Sequence, residues 1–317
     1  MKANRALSIL SVFTAFILFT GFNSPGLSAV EKHEEKFEKT VSLAKDGQVY
    51  LNNVSGNIEV KSWKKDEVKI DAVKISSAHS LEEAKGNAEL VKIEVEKEGD
   101  TLRIETDYPR MFGRSLNVSV NYTLMVPDKA SVRVKSVSGS IILEEIGGTV
   151  KANAVSGNID VRKASKGVDC DAVSGNVEAR DVIGDVYLNA ISGGITVERI
   201  QGSVEAKTVS GDVDMRSVSK AKVVKATVLS GTITYEGDID PDGRYTMKAH
   251  SGDIEMTIPS NSAFDLEAST FSGRIKSDFE ITVSGTISKN KIQGEVNRGG
   301  AEVDLNTFSG SIYLRKK

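Results

Sequence analysis

The densest cluster of hard oxygen donors in this 317-residue chain is Asp238, Asp240 and Asp242, three carboxylates at alternate positions followed at once by Gly243. A calcium loop of EF-hand type begins with such a spacing and closes on a bidentate glutamate at its twelfth position. Here that position is Ala249, and Pro241 restricts the loop backbone. Asp238, Asp240 and Asp242 are therefore the candidate metal ligands, for calcium. They read equally as a polar corner between two strands, Thr232 to Tyr235 and Tyr245 to Ala249.

The other groups capable of chemistry stand alone. His33, His79 and His250 are far apart, and His33-Glu34 lacks the second histidine of a zinc-protease helix. Serines recur without a recurring base, and the chain has neither a phosphate-cradling glycine loop nor a G-x-S-x-G elbow. The single cysteine, Cys170, makes no internal disulfide and falls in an alternating apolar run, which reads as a small core side chain. A glycosidase pair needs two carboxyl groups roughly 5–9.5 Å apart in one groove. The outward acids here instead alternate with bases along the chain, as in Glu144, Arg162, Arg180, Glu198 and Arg216. No catalytic residue is assigned, and a carbohydrate-active β-helix enzyme stands as the alternative reading, beside a calcium-binding envelope protein.

The elements that carry these residues repeat. Ser-Gly occurs at Ser138-Gly139, Ser156-Gly157, Ser174-Gly175, Ser192-Gly193 and Ser210-Gly211, each 18 residues after the last. It continues at Ser230, Ser251, Ser272 and Ser309 with gaps of 20, 21, 21 and 37 residues. Units this short cannot bury an apolar face alone and must stack. Within each unit apolar residues alternate, as in Ile159-Asp160-Val161, the mark of a strand with one buried face. A second alternating run, as in Val168-Asp169-Cys170-Asp171-Ala172, follows half a period later, with a second glycine turn at Gly148, Gly167, Gly184 or Gly202 between them. Aligning the units gives inward columns Ile141, Ile159, Val177, Ile195, Val213 and Val150, Val168, Val186, Val204, with a smaller one at Ala152, Cys170, Leu188, Ala206. The aligned serines are expected to satisfy local backbone groups. Tyr187 and Tyr235 are the outward aromatics of the regular coils.

These patterns predict an all-β fold, a single-stranded parallel β-solenoid or β-helix of about 18–21 residues per coil, right-handed by the crossover rule. One short helix is expected near the N-terminal end, where Ser80-Leu81-Glu82-Glu83 forms a capping box and Leu81, Ala84, Ala88 and Val91 share a face. Residues 30–317 form a single solenoid domain. Its irregular coils and helix run over 30–130, its regular coils over 131–274, and an insertion with the last coil over 275–317.

Residues 1–29 carry Lys2 and Arg5, an apolar stretch from Ala6 to Phe22 and a small-residue exit at Pro25 to Ala29, the pattern of a signal peptide. The protein is thus expected to be exported: secreted, periplasmic or on the cell surface of a bacterium. The net charge of −3, with both signs interspersed, argues against nucleic acid as a partner. Membrane contact is expected only if the first segment is retained.

Ile58-Glu59-Val60 with Trp63, the segment Tyr122 to Pro127, the repeated SGNI and SGDI corners and the terminal run Leu305 to Ile312 together resemble the bacterial putative-adhesin family DUF4097, over Phe37 to Leu314. The resemblance implies an exported β-solenoid with an adhesin-like label and supplies no catalytic or ligand residues. The expected function is a non-catalytic, adhesin-like cell-envelope protein that presents a rigid solenoid surface to an envelope protein or glycan.

Overall fold

The computed structural model describes residues 30–109, 116–283 and 288–317; the predicted signal peptide lies outside them. Each coil contributes one strand to each of two facing sheets, one of 14 strands and one of 13. In a regular coil the strand Val150–Ser156 belongs to the larger sheet, turns at Ser156-Gly157, and continues as Ile159–Arg162 in the smaller one. Pairing is parallel and steps by one coil: Val150↔Val168, Val168↔Val186, Val186↔Val204 in the larger sheet, and Ile159↔Val177, Val177↔Ile195 in the smaller. The aligned columns face inward and are buried, so the interior is filled by side chains. Cys170 is among them, and burial pushes its thiol far above the ordinary range, leaving it an inert core atom.

The Ser-Gly corners form a ladder of their own. Gly139, Gly157 and Gly193 donate their N–H to the carbonyls of Ser156, Ser174 and Ser210 in the next coil, each at 2.9 Å. The glycine is required twice over. At Gly175 φ is +144°, and a Cβ there would lie 2.2 Å from the carbonyl oxygen of Gly157. The residue after the glycine completes the corner, since Asn158 Oδ1 accepts from Asn176 N and Asn176 Oδ1 from Gly194 N, both at 2.9 Å. Serine thus acts through its carbonyl, and the Asn or Asp of SGN and SGD is the side chain that satisfies backbone groups. The opposite corner contains a column without glycine, Glu145, Lys163, Asp181, Arg199 and Ser217, all left-handed at φ between 54° and 60°.

Both ends of the stack interlock. The first coil in the chain, strands Gln48–Ser55 and Ile58–Trp63, is not outermost: it lies between the coil of Thr101–Asp107 with Val118–Pro127 and the coil of Ser131–Ser138 with Ile141–Glu144. The last coil in the chain, Ala301–Ser309 and Ile312–Lys316, likewise slots between Arg244–Ser251 with Ile254–Ile258 and Phe264–Ser272 with Ile275–Ser277. Spatial order therefore differs from chain order at the Ser309 corner, whose neighbours are Ser251 and Ser272. Antiparallel strands complete the ends: Glu67–Ala78 and Glu31–Ser42 on one sheet, Lys92–Glu98 on the other, and Lys291–Val296 with Thr282–Val283 at the far end. The outer strands Glu31–Ser42 and Lys92–Glu98 are dense in charge, which blunts edge pairing with other chains.

The helix spans Leu81–Leu90, capped by Ser80, whose Oγ accepts from Glu83 N at 3.2 Å. Ala84, Ala88 and Val91 are buried against strands Glu67–Ala78 and Glu31–Ser42, whereas Leu81 is 45% exposed, because it sits in the first turn, clear of both strands. Tyr235 also departs from expectation. It points inward, with its ring edge-on to Tyr245 at 5.8 Å and its hydroxyl donating to the Asp238 carbonyl at 2.7 Å, because the wider coils at this end need larger side chains to fill them.

Gly175→Ala is expected to lower stability by at least ~2 kcal/mol, the order of one strained left-handed residue plus its clash. Gly86→Ala, in the helix with nothing within 4 Å of the new Cβ, should raise it by up to ~1 kcal/mol. Urea melts of the two variants check the pair; equal effects would contradict the corner assignment.

Candidate functional site

Asp238, Asp240 and Asp242 fall on the corner between strands Ile233–Gly237 and Arg244–Ser251. Asp240 and Asp242 turn their carboxylates to one lysine: Lys222 Nζ donates to Asp240 Oδ1 at 2.7 Å and to Asp242 Oδ2 at 3.3 Å. Asp240 Oδ1 also accepts from Asp242 N at 3.1 Å, and Asp240 N donates to the Tyr245 hydroxyl at 2.8 Å. Asp238 takes part through its backbone carbonyl. Among the described residues no group of three or more His, Cys, Asp and Glu side chains is arranged to hold a metal ion, and the cation of this corner is the Lys222 ammonium. The hydrogen bond from Lys222 holds the Asp240 carboxyl below its usual range, and Lys222 is raised in turn.

The outer face of the smaller sheet is also ion-paired. Arg162 pairs with Asp160, Arg216 with Asp214, and Arg180 bridges Glu178 on its own strand to Glu198 on the next, the latter at 3.3 Å. Charge on that face is neutralised locally.

A groove runs along the larger sheet just before the Ser-Gly corner. The parallel ladder there runs from Val150↔Val168 to Ala154↔Ala172, skips a residue and resumes at Ser156↔Ser174. At each skipped position an apolar side chain stands out to solvent: Val137, Val155, Val173, Ile191, Val209 and Leu229, with Ile191 and Leu229 each 52% exposed. The column continues through His250, Phe308 and Phe271, whose rings stack in sequence at 5.1 and 4.7 Å, with Phe271 70% exposed. These residues form one wall. The small inward residues Ala154, Ala172 and Ala190 form the floor, and Asn153, Asp171 and Asn189 the other wall, tied together by Asn153 Nδ2 to Asp171 Oδ2 at 2.7 Å and Asn189 Nδ2 to Asp171 Oδ1 at 2.9 Å. The first section, from the Asn52 coil to the Ile191 coil, encloses about 720 Å³. A second section of about 530 Å³ shares Asn189 and Ala190 with it and continues to Phe308.

Alternation and the 18-residue period do not by themselves announce this groove. Its signal is the residue before each Ser-Gly, apolar in every coil from Val54 onward except at His250, on a parity that elsewhere is polar but for scattered residues such as Tyr187 and Val223.

Two sheets of stacked parallel strands, closed at glycine corners and grooved along one corner, define a two-faced β-solenoid. The chain belongs to the Toastrack family, DUF4097, whose model matches residues 82–315. No curated protein matches it. Among solved structures, a "putative adhesin" of Parabacteroides distasonis ATCC 8503 is similar over 88% of this chain and 97% of its own, at 11% identity and a TM-score of 0.43. A "putative adhesin" of Bacteroides fragilis NCTC 9343 covers 88% and 97% at 15% identity and a TM-score of 0.37. A "putative lipid binding protein" of P. distasonis covers 89% and 96% at 12% identity and a TM-score of 0.43. Likenesses at these values carry no functional argument.

The folded pKa of Asp240 is depressed, so the Lys222 contact stabilises the fold above the unfolded carboxyl value and is lost as pH falls through the folded one. An NMR titration should place the Asp240 midpoint below ~3.9, the ordinary aspartate value, and Lys222→Met should move it back up. Millimolar calcium should leave the melting temperature of the wild-type protein unchanged; a rise lost in Asp240→Asn would contradict the lysine assignment.

Proposed function

We propose that this chain is a non-catalytic, adhesin-like binding protein of the exported space, which holds an elongated apolar partner of the cell envelope along the grooved edge of its larger sheet. The observation that carries this reading is the exposed apolar column, in register from Val137 to Leu229 and extended by stacked rings at Phe308 and Phe271. Contiguous exposed apolar surface beside polar residues marks an interaction site in a soluble protein. Solenoids present such surfaces because every coil adds one copy of each column. At Phe308, which stacks between Phe271 and His250, both ring faces are covered and the column presents an aromatic edge to solvent. The ion-paired face of the other sheet offers less: exposed pairs are worth ~0–1 kcal/mol and hold their own charges. Among the described residues no helix is long and apolar enough to cross a membrane.

The triple variant Val155→Lys, Val173→Lys, Ile191→Lys is expected to weaken retention of the purified protein on envelope fractions at least tenfold. Each half-exposed side chain covered by a partner contributes on the order of 1 kcal/mol. Arg162→Glu with Arg180→Glu, on the other face, should leave retention unchanged. Co-sedimentation with circular dichroism of each variant reads the result; equal retention of all folded forms would reject the grooved edge as the functional face.

A further inference from the structure

The exposed ridge crosses ten neighbouring strands of the larger sheet, from Gln48–Ser55 to Phe264–Ser272. Its two halves differ in size. Val54, Val137 and Val173 stand in the half beside the roomier section of about 720 Å³, and Leu229, Phe308 and Phe271 stand in the other. The charged columns beside the ridge are also uneven, with Arg103, Arg133 and Lys151 toward one end and Asp304 and Glu267 toward the other. A surface graded in this way complements its own reverse.

From this we infer that the grooved face of the larger sheet is the interface of a two-fold dimer, in which a second copy of this chain lies face to face and antiparallel to the first. The inference rests on the grooved edge being the functional face and names its partner. A dyad along the strand direction keeps each residue's place along its strand and reverses the order of the coils, so each column faces itself. Full overlap of the ridge sets that dyad between the strands of Ile191 and Val209, with five ridge strands on either side. Phe271 then faces Val54, Phe308 faces Val137 and Leu229 faces Val173, a large side chain against a small one each time. The exposed Phe271 and Phe308 rings have the alanine-floored section in front of them.

The charges agree with the same dyad. Arg133, which in its own chain lies over the Tyr50 ring at 5.5 Å, comes opposite Asp304. Asp169 comes opposite Lys225 and Glu105 opposite Lys291, and in the two outward columns beside the ridge no charge meets its like. Sliding one copy by a single coil destroys this match. In one direction Lys151 meets Lys225 and Asp169 meets Glu205; in the other, Glu205 and Lys207 fall on the dyad against their own copies. Like charges apposed across an interface are strongly disfavoured, so the charges select the register that the ridge selects. The ten strands at a spacing of ~4.8 Å give a face roughly 43 Å by 20 Å, on the order of 800 Å² per copy, the size of a standard stable interface.

Sedimentation velocity of the purified protein across roughly 1–100 μM should show a concentration-dependent dimer. The triple lysine variant of Val155, Val173 and Ile191 should be monomeric, with its fold checked by circular dichroism. Arg133→Glu and Asp304→Arg should each weaken dimerisation at least tenfold, because each sets like charges together twice in the dimer. Combined in one chain they should restore it, and the two single variants mixed should form a heterodimer. Arg133 and Asp304 lie seven strands apart within one chain, so rescue can come only across the interface. A monomer at every concentration, a dimer that the ridge lysines leave intact, or a charge swap without rescue overturns the inference. Envelope fractions from cells lacking this chain separate it from the reading beneath it. If the wild-type protein is monomeric and the lysine variant still loses retention on those fractions, the grooved edge stands and its partner is a different apolar molecule.

Discussion

Everything in this molecule hangs on the close approach of one coil to the next at the Ser-Gly corner. There the glycine N–H reaches the serine carbonyl of the following coil at about 2.9 Å, with no room for a Cβ between them. That contact sets the coil spacing, and the spacing sets the parallel register of both sheets. Register in turn decides which columns face in, because a one-residue slip would turn every buried valine outward. The carbonyl-to-amide ladder runs from Gly56 to Gly310. A stacked array of this kind gains its stability from neighbours, so the weakest places are the two coils that have a neighbour on one side only.

The interlocked ends answer that weakness. A terminal segment laid on the outside would be held by one ladder per sheet and would fray. Here the first and last coils each sit between two others, held by ladders on both sides, while the first described strand, Glu31–Ser42, takes the outer edge of the smaller sheet and is held along its whole length by Glu67–Ala78 alone. The charged strands Glu31–Ser42 and Lys92–Glu98 then close the N-terminal end without inviting another molecule to pair. The long gap between Ser272 and Ser309 is the chain needed to go out, turn back through Lys291–Val296 and return one coil inward.

The regular coils were legible in the residues because alternation and an 18-residue period act on every unit alike: the columns at Ile141, Val150 and Ala152 are buried throughout. What escaped has identifiable causes. Coil order at the ends depends on long-range threading, to which a local pattern is blind. The left-handed corner at Glu145, Lys163 and Asp181 has no glycine to announce it, and its residues are held there by stacking, with Lys163 and Arg199 pairing to Glu145 and Asp181 one coil back. Tyr235 belongs by alternation to the inward column of Val161, Ala179, Val197 and Met215; its hydroxyl argues for an outward place, and the fold meets that hydroxyl inside with the Asp238 carbonyl. The aspartates at 238, 240 and 242 show spacing without geometry, since only the fold brings Lys222 to meet two of them.

The exposed ridge is the harder feature to explain by folding alone. Valine and isoleucine favour extended backbone, so an outward β-branched column has a local rationale in strand propensity. That rationale applies equally to the neighbouring outward columns of the same strands, and those hold Lys151, Asp169, Tyr187, Glu205 and Lys225 at one position, with one aromatic among four charges, and Asn153, Asp171, Asn189 and Lys207 at the next. Propensity therefore does not select an apolar side chain at Val155, Val173 and Ile191 while accepting charge two residues earlier. Nor does packing, since these side chains stand about half exposed. The ladder skips this residue in coil after coil, so it is also the outward position least constrained by pairing, where a lysine would fit most easily. The apolar residues stand where the fold requires nothing of them, beside a floor kept small by alanine, and that combination is what a surface shaped for an apolar ligand requires.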